Sequence, residues 1–147
     1  MATKQYEIRK VDNCFLVRTT GDWDLQNDLS YISDLSDALK SRQGKAFYLV
    51  VDMRGLAVPD SVKNSKKNYP IHLDRRNQQG EIWLMDDFSQ TEHLLIYFEK
   101  VGFELKRTTE PGEFIDWLYQ RIAPHTLNEI VSWIGDADSS KNNRQLA

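Results

Sequence analysis

Thiol chemistry is nearly absent from this chain: Cys14 is its one cysteine among 147 residues. A lone thiol cannot close an intrachain disulfide, and by itself it cannot build a cysteine-rich metal site. It lies in the apolar run Cys14-Phe15-Leu16-Val17, where it reads as a buried structural residue. Glycine is scarce too, and the seven present are too widely separated to write a dinucleotide fingerprint or a phosphate loop. No apolar stretch approaches the roughly 20 residues needed to cross a membrane. The N-terminus Met1-Ala2-Thr3-Lys4-Gln5-Tyr6-Glu7 has no apolar signal core, so the expected location is cytoplasmic. An excess of one charge is missing as well: 19 basic residues face 22 acidic ones, net −3. DNA-binding domains usually show a strong basic bias, which disfavours a nucleic-acid partner.

Motifs for catalysis are equally wanting. His72, His93 and His125 sit far apart and outside any metal-binding spacing such as His-Glu-x-x-His. No nucleophile elbow of the Gly-x-Ser-x-Gly kind can be written. The expectation is a protein that is not an enzyme and has no cofactor or metal.

What the chain does have is core material. Hydrophobic residues make up 40% and aromatics 11%, with four tryptophans, which argues against disorder. A chain of this length buries roughly 70% of its unfolded surface, enough for one core. The expected organisation is a single domain over residues 1–135 and a polar, disordered tail over 136–147.

The pattern along the chain alternates. Tyr6–Val11 and Cys14–Thr20 read as an antiparallel hairpin around Asp12-Asn13, broken by Gly21-Asp22-Trp23-Asp24. Asp24 can cap a helix with apolar positions Leu25, Leu29, Ile32, Leu35 and Leu39, stopped by Gly44. Phe47–Val51 is a continuous apolar run ending at Asp52, as a strand covered on both faces should be. A broken helix is expected from about Asp60 to Gln79, interrupted by Pro70. Glu81–Met85 reads as the next strand, and Ser89-Gln90-Thr91-Glu92 has the form of a capping box. That box opens a helix presenting Leu94, Leu95, Phe98 and Val101. Phe103–Arg107 alternates like an edge strand. Pro111 opens a helix with the stripe Phe114, Trp117, Leu118 and Ile122, closed by Pro124. A short last helix follows Thr126, with Leu127, Ile130, Val131 and Ile134 as its stripe.

The order β-β-α-β-α-β-α-β-α, with an extra C-terminal helix, predicts an α/β fold. About five strands should form a mixed, largely parallel sheet flanked by helices and joined by right-handed crossovers. The helical stripes read as core.

Two groups of residues could carry chemistry. Asp52, Asp86 and Asp87 fall at the C-terminal ends of strands, where open α/β sheets tend to bind ligands. Together they could hold a divalent cation for hydrolysis; as single residues they are ordinary turn formers and caps. Lys63, Lys66, Lys67, Arg75 and Arg76, opposed in that segment by Asp74 alone, make a basic region in an acidic protein. It could meet an acidic partner, a phosphate or the face of an anionic membrane, or be a solvated helix face.

Three local features resemble the STAS domain, the anti-sigma-factor-antagonist family. Gly21-Asp22-Trp23-Asp24 leads from a strand into a helix as that family's Gly-Glu-Leu-Asp segment does. Asp52 ends a buried strand and is followed by Asp60-Ser61, like the family's strand-end aspartate and Asp-Ser pair. Phe98–Phe103 resembles its third helix running into the last strand, and the element order agrees over Tyr6 to Ile122. The resemblance implies a SpoIIAA-like regulatory module whose partner kinase phosphorylates a serine. Carried over, that serine is Ser61 with Asp60 beside it. Asp52, Arg54 and the basic residues above would then serve as binding candidates. The family's Ser-Gly-Leu continuation is replaced here by Ser61-Val62-Lys63, with Pro59 ahead of the pair. The looser SpoIIAA-like proteins, thought to resemble lipid-binding domains, are the nearer match.

Three readings follow, in order. The first is an interaction module without catalysis, with another protein (regulator or kinase-like) or a second copy as partner. The second is a carrier of a small hydrophobic ligand, with Tyr69, Ile71 and Leu73 near the cavity. The third is a metal-assisted hydrolase using Asp52, Asp86 and Asp87.

Overall fold

The computed structural model describes residues 5–64 and 73–146, with side chains described as far as residue 135. The chain divides between Thr109 and Glu110 into two compact units.

The N-terminal unit opens with β1 (Tyr6–Val11) and β2 (Cys14–Thr19), an antiparallel hairpin in register from Tyr6↔Thr19 to Val11↔Cys14. Asp12 takes φ +54° at its turn, a left-handed conformation that aspartate tolerates better than most residues. Then follow β3 (Gly21–Asp22), α1 (Leu25–Lys40), β4 (Phe47–Asp52), β5 (Leu56–Ala57) and α2 (Asp60–Lys63). The unit ends with β6 (Gln78–Leu84), two 3-10 segments (Phe88–Gln90 and Glu92–Phe98) and β7 (Glu104–Thr108). The main sheet runs β1-β2-β4-β6-β7, parallel from β2 onward, and β3 and β5 form a short parallel ladder beside it. Hence the predicted α/β class, with a mixed and largely parallel five-strand sheet, is the observed one.

Period-two alternation sorts the sheet into two faces. Leu16, Val50, Ile82 and Leu84 line one and are fully buried. Phe15, Val17, Leu49, Val51 and Trp83 line the other and form the main core with Leu35 and Leu39 of α1. Cys14 is 0% exposed, and burial pushes its thiol up to about 12, the behaviour of an inert structural cysteine.

Local signals explain most elements. The Asp24 side chain accepts from the Asn27 backbone N–H at 2.7 Å and caps α1 as predicted. The α1 stripe needs correcting: Leu25 and Leu29 are exposed, and the buried residues are Asp28, Leu35, Ser36 and Leu39. At 100° per residue Leu29 stands well round the helix from Asp28, so one of the two had to face water. Here the leucine does.

Downstream, β6 begins at Gln78 and so includes Glu81 within the strand. The helix expected over 60–79 is only the turn Asp60–Lys63, while Pro70 lies outside the described residues. The predicted box at Ser89 lies two residues earlier. Asp87 caps, its carboxylate accepting from Ser89 N at 2.8 Å, and Gln90 Oε1 accepts from Asp87 N at 3.1 Å. Ser89, through its backbone N–H first and its hydroxyl second, holds the Asp87 carboxyl below its usual range. The helix after it, Glu92–Phe98, is 3-10 where an α-helix was expected.

The C-terminal unit holds α3 (Pro111–Tyr119), with Pro111 in its first turn as predicted, and α4 (Pro124–Leu146), which packs against it. Pro124 opens α4 instead of closing α3, since the first helical turn needs no proline N–H. The backbone stays helical through Gly135: one interior glycine costs only about 1 kcal/mol. Trp133, not Val131, joins Leu127, Ile130 and Ile134 among the buried residues. No helix among the described residues is long and apolar enough to cross a membrane.

Candidate functional site: an apolar cavity over a buried carboxylate

The N-terminal unit encloses a cavity of about 440 Å³. Its floor is the core face of the sheet, with Thr19, Leu49, Val51, Glu81 and Trp83. One wall is α1, through Asp28, Tyr31, Ile32 and Leu35, and the other is the 3-10 segment, through His93, Leu94, Tyr97 and Phe98. Leu56, Val58 and Val62 line it from the β5–α2 connection. The volume and the apolar character are those of a small-molecule site.

A polar network stands at one end. Glu81, 3% exposed, accepts from Arg75 Nη1 at 2.7 Å, Gln78 Nε2 at 2.8 Å and Trp83 Nε1 at 2.6 Å. Arg75 also lies over the Phe98 and Phe103 rings, 5.1 and 5.8 Å from their centroids. A carboxylate this deep persists because a cation and neutral donors satisfy it together.

The other end is aromatic. The lining residues Trp23 and Tyr31 meet edge to face, and Tyr6, outside the lining, meets both, with centroids 5.5–6.2 Å apart. The Trp23 indole donates to the buried Asp28 carboxylate at 3.1 Å. Tyr6 donates to Asp34, and burial, seconded by that bond, raises its phenol to about 12. Burial first and the Glu81 charge second also raise Tyr31, which therefore faces the cavity as a neutral phenol. Thr19, 4% exposed, carries a hydroxyl with no hydrogen-bond partner among the described residues.

The residues singled out by sequence are dispersed. Asp52 is buried and held by Arg18 Nε at 3.3 Å and Arg54 Nε at 2.9 Å, so Asp52 and Arg54 do come together, as a structural ion cluster. Asp86 accepts from Gly55 N at 2.7 Å and Asp87 caps its turn. No three metal-ligating side chains group together among the described residues. The basic region is not a single helix face. Arg75 turns inward to Glu81, whereas Arg76 pairs with Asp74 at 2.8 Å. Side-chain hydrogen bonds from Arg76, then its backbone N–H, hold Asp74 down to about 2. Lys63 is half-buried on α2; Lys66, Lys67, Tyr69 and Ile71 lie outside the described residues. Asp60 and Ser61 are exposed in the first turn of α2. Pro59 occupies the cap position, so Ser61 is not the N-cap.

Sequence reasoning missed Thr19, Asp28, Tyr31, Glu81 and Trp83. Glu81 and Trp83 did leave a signal: two residues apart in a strand, they share a face, and the other three residues of Ile82–Met85 are apolar.

No protein-family model matches the chain, and no curated protein matches it. Among solved structures it is similar to an anti-sigma factor antagonist from Mycobacterium paratuberculosis, at 10% identity and a TM-score of 0.44. That alignment covers 78% of this chain and 95% of the other.

Proposed function

We propose that this chain is a binding module without catalysis that holds a small, largely apolar molecule between α1 and the 3-10 segment. The observation that carries the reading is the cavity of about 440 Å³, apolar along its middle with a few polar groups at its ends. Native mass spectrometry of freshly purified protein, with titration of the neutral fluorophore phenylnaphthylamine, tests it. One probe should bind per chain with enhanced emission, and Leu56→Trp, which fills the cavity from its rim, should abolish binding while the circular dichroism spectrum is retained. A wild-type protein that binds no probe, or a filled variant that binds it unchanged, refutes the reading.

A second reading, a regulatory protein-interaction module switched by phosphorylation at Ser61, is favoured by one observation. Ser61 is exposed while its neighbour Val62 is buried and lines the cavity. A phosphate there would add about −2 charge on the surface, next to a residue that the cavity contents touch. Under this reading Ser61→Asp shifts affinity for a partner protein, or self-association, several-fold relative to Ser61→Ala. Equal binding by wild type, Ser61→Ala and Ser61→Asp would remove it.

A further inference from the structure

Rows of alternate residues along the parallel strands build the cavity floor, and the row on β2 ends unlike the way it begins. Phe15, Val17 and Thr19 follow one another at every second position and so share a face. Phe15 and Val17 belong to the main core, where they pair with Leu49 and Val51 of β4. Glu81 shares the rung of Phe15 and Leu49, so its network lies about 13 Å along the strands from Thr19. Val51 and Trp83, on the rung of Val17, line the floor between the two.

The two ends of this floor differ in what they leave unsatisfied. At one end the groups satisfy one another: Arg75 and Gln78 donate to Glu81 Oε1, and the Trp83 indole donates to Oε2. At the other end Thr19 lines the cavity at 4% exposure, and its Oγ1 has no hydrogen-bond partner among the described residues. Burying a hydroxyl unpaired costs stability that a valine, of nearly the same shape, would not. A valine would also continue the apolar row of Phe15 and Val17. Packing alone therefore does not account for the hydroxyl, whereas a bound molecule does. Threonine has one side-chain torsion, so a single rotation brings its hydroxyl to the cavity contents. It offers one donor and two acceptor positions and no charge, and another hydroxyl can answer it in either sense.

We propose that the cavity takes an apolar molecule bearing a hydroxyl group, hydrogen-bonded to Thr19 Oγ1, and that Thr19 is the residue that selects it. The apolar body lies over Val51 and Trp83, toward the self-satisfied Glu81–Arg75 end. This rests on the cavity being a ligand site.

The test is displacement of phenylnaphthylamine from the full chain by 4-propylphenol and 4-propyltoluene, which differ by a hydroxyl in place of a methyl group. Wild type, Thr19→Val and Thr19→Ser are compared. The affinity ratio of phenol to toluene should be about fivefold to tenfold higher in wild type than in Thr19→Val. Thr19→Ser, which keeps the hydroxyl, should keep the wild-type ratio. Ligand-free Thr19→Val should show a raised urea midpoint at unchanged slope, which loss of a structural hydrogen bond would not give. Equal ratios in wild type and Thr19→Val, or a ratio that Thr19→Ser loses as fully, overturn the hydroxyl contact and leave the cavity reading standing. A Thr19→Val protein less stable than wild type, or unfolded, shows that the hydroxyl serves the fold and overturns the proposal as well. If the fluorophore binds and the phenol does not displace it, the proposal falls alone. If the fluorophore does not bind either, the cavity reading falls with it.

Discussion

Glu81→Ala is expected to destabilise the N-terminal unit by about 3–5 kcal/mol, read as a lowered urea midpoint at unchanged slope. The carboxylate is 3% exposed and receives three donors from Arg75, Gln78 and Trp83. Its removal takes the counter-charge from Arg75, which keeps Gln78 Oε1 as an acceptor, and the acceptor from the Trp83 indole, while Gln78 Nε2 keeps the Gly80 carbonyl. The loss comes from groups left without partners, more than from the attraction itself. Glu81→Gln separates the two contributions. It keeps an acceptor for the indole but loses the charge opposite Arg75, so a smaller loss of about 1–3 kcal/mol is expected. A loss under about 1 kcal/mol for Glu81→Ala would mean that the network is not the buried, satisfied one described.

Trp83→Ala should cost a similar 3–5 kcal/mol by a different route. Trp83 is 2% exposed and stacks edge to face on Phe98 at 5.1 Å, joining the sheet floor to the 3-10 wall. Truncation forfeits that packing and enlarges the cavity, which cannot collapse because the strand beneath is fixed on both sides. The double variant with Glu81→Ala should cost less than the sum of the two, since each removes the same indole–carboxylate bond. Strict additivity would show that the 2.6 Å contact does not contribute.

Both predictions concern residues that the linear pattern undervalued, and the reason is physical. A glutamate ahead of Ile82-Trp83-Leu84 looks like a polar residue opening a strand. Only the arrival of Arg75 from outside the strand turns it into a buried ion pair. In α1 the period of 3.6 was legible, but its phase was not. Leu29 and Asp28 are adjacent, and which of them faces the core depends on where Trp23 places its indole. The 3-10 segment escaped for a similar reason, because seven residues do not separate a period of 3.0 from one of 3.6. Among the resemblance-derived candidates, Asp60 and Ser61 are exposed at the start of α2. Arg75, read as part of a basic surface, belongs to the cavity instead.

Local chemistry by itself determined the hairpin at Asp12-Asn13, the cap at Asp24, the buried run Phe47–Val51 and the proline at the head of α3. Each depends on neighbours within a few residues: a turn, a hydrogen bond one turn away, an unbroken apolar stretch, a missing N–H. From the alternation of those elements followed the parallel sheet. The cavity was decided only by tertiary structure. It needs α1 and the 3-10 segment to stand apart over the same strands, and its charge is the sum over side chains from Thr19 to Phe98. No local pattern encodes a gap between two elements. The features with which this chain opened, one buried thiol and no catalytic motif, are therefore compatible with a well-defined site, made of space and charge balance.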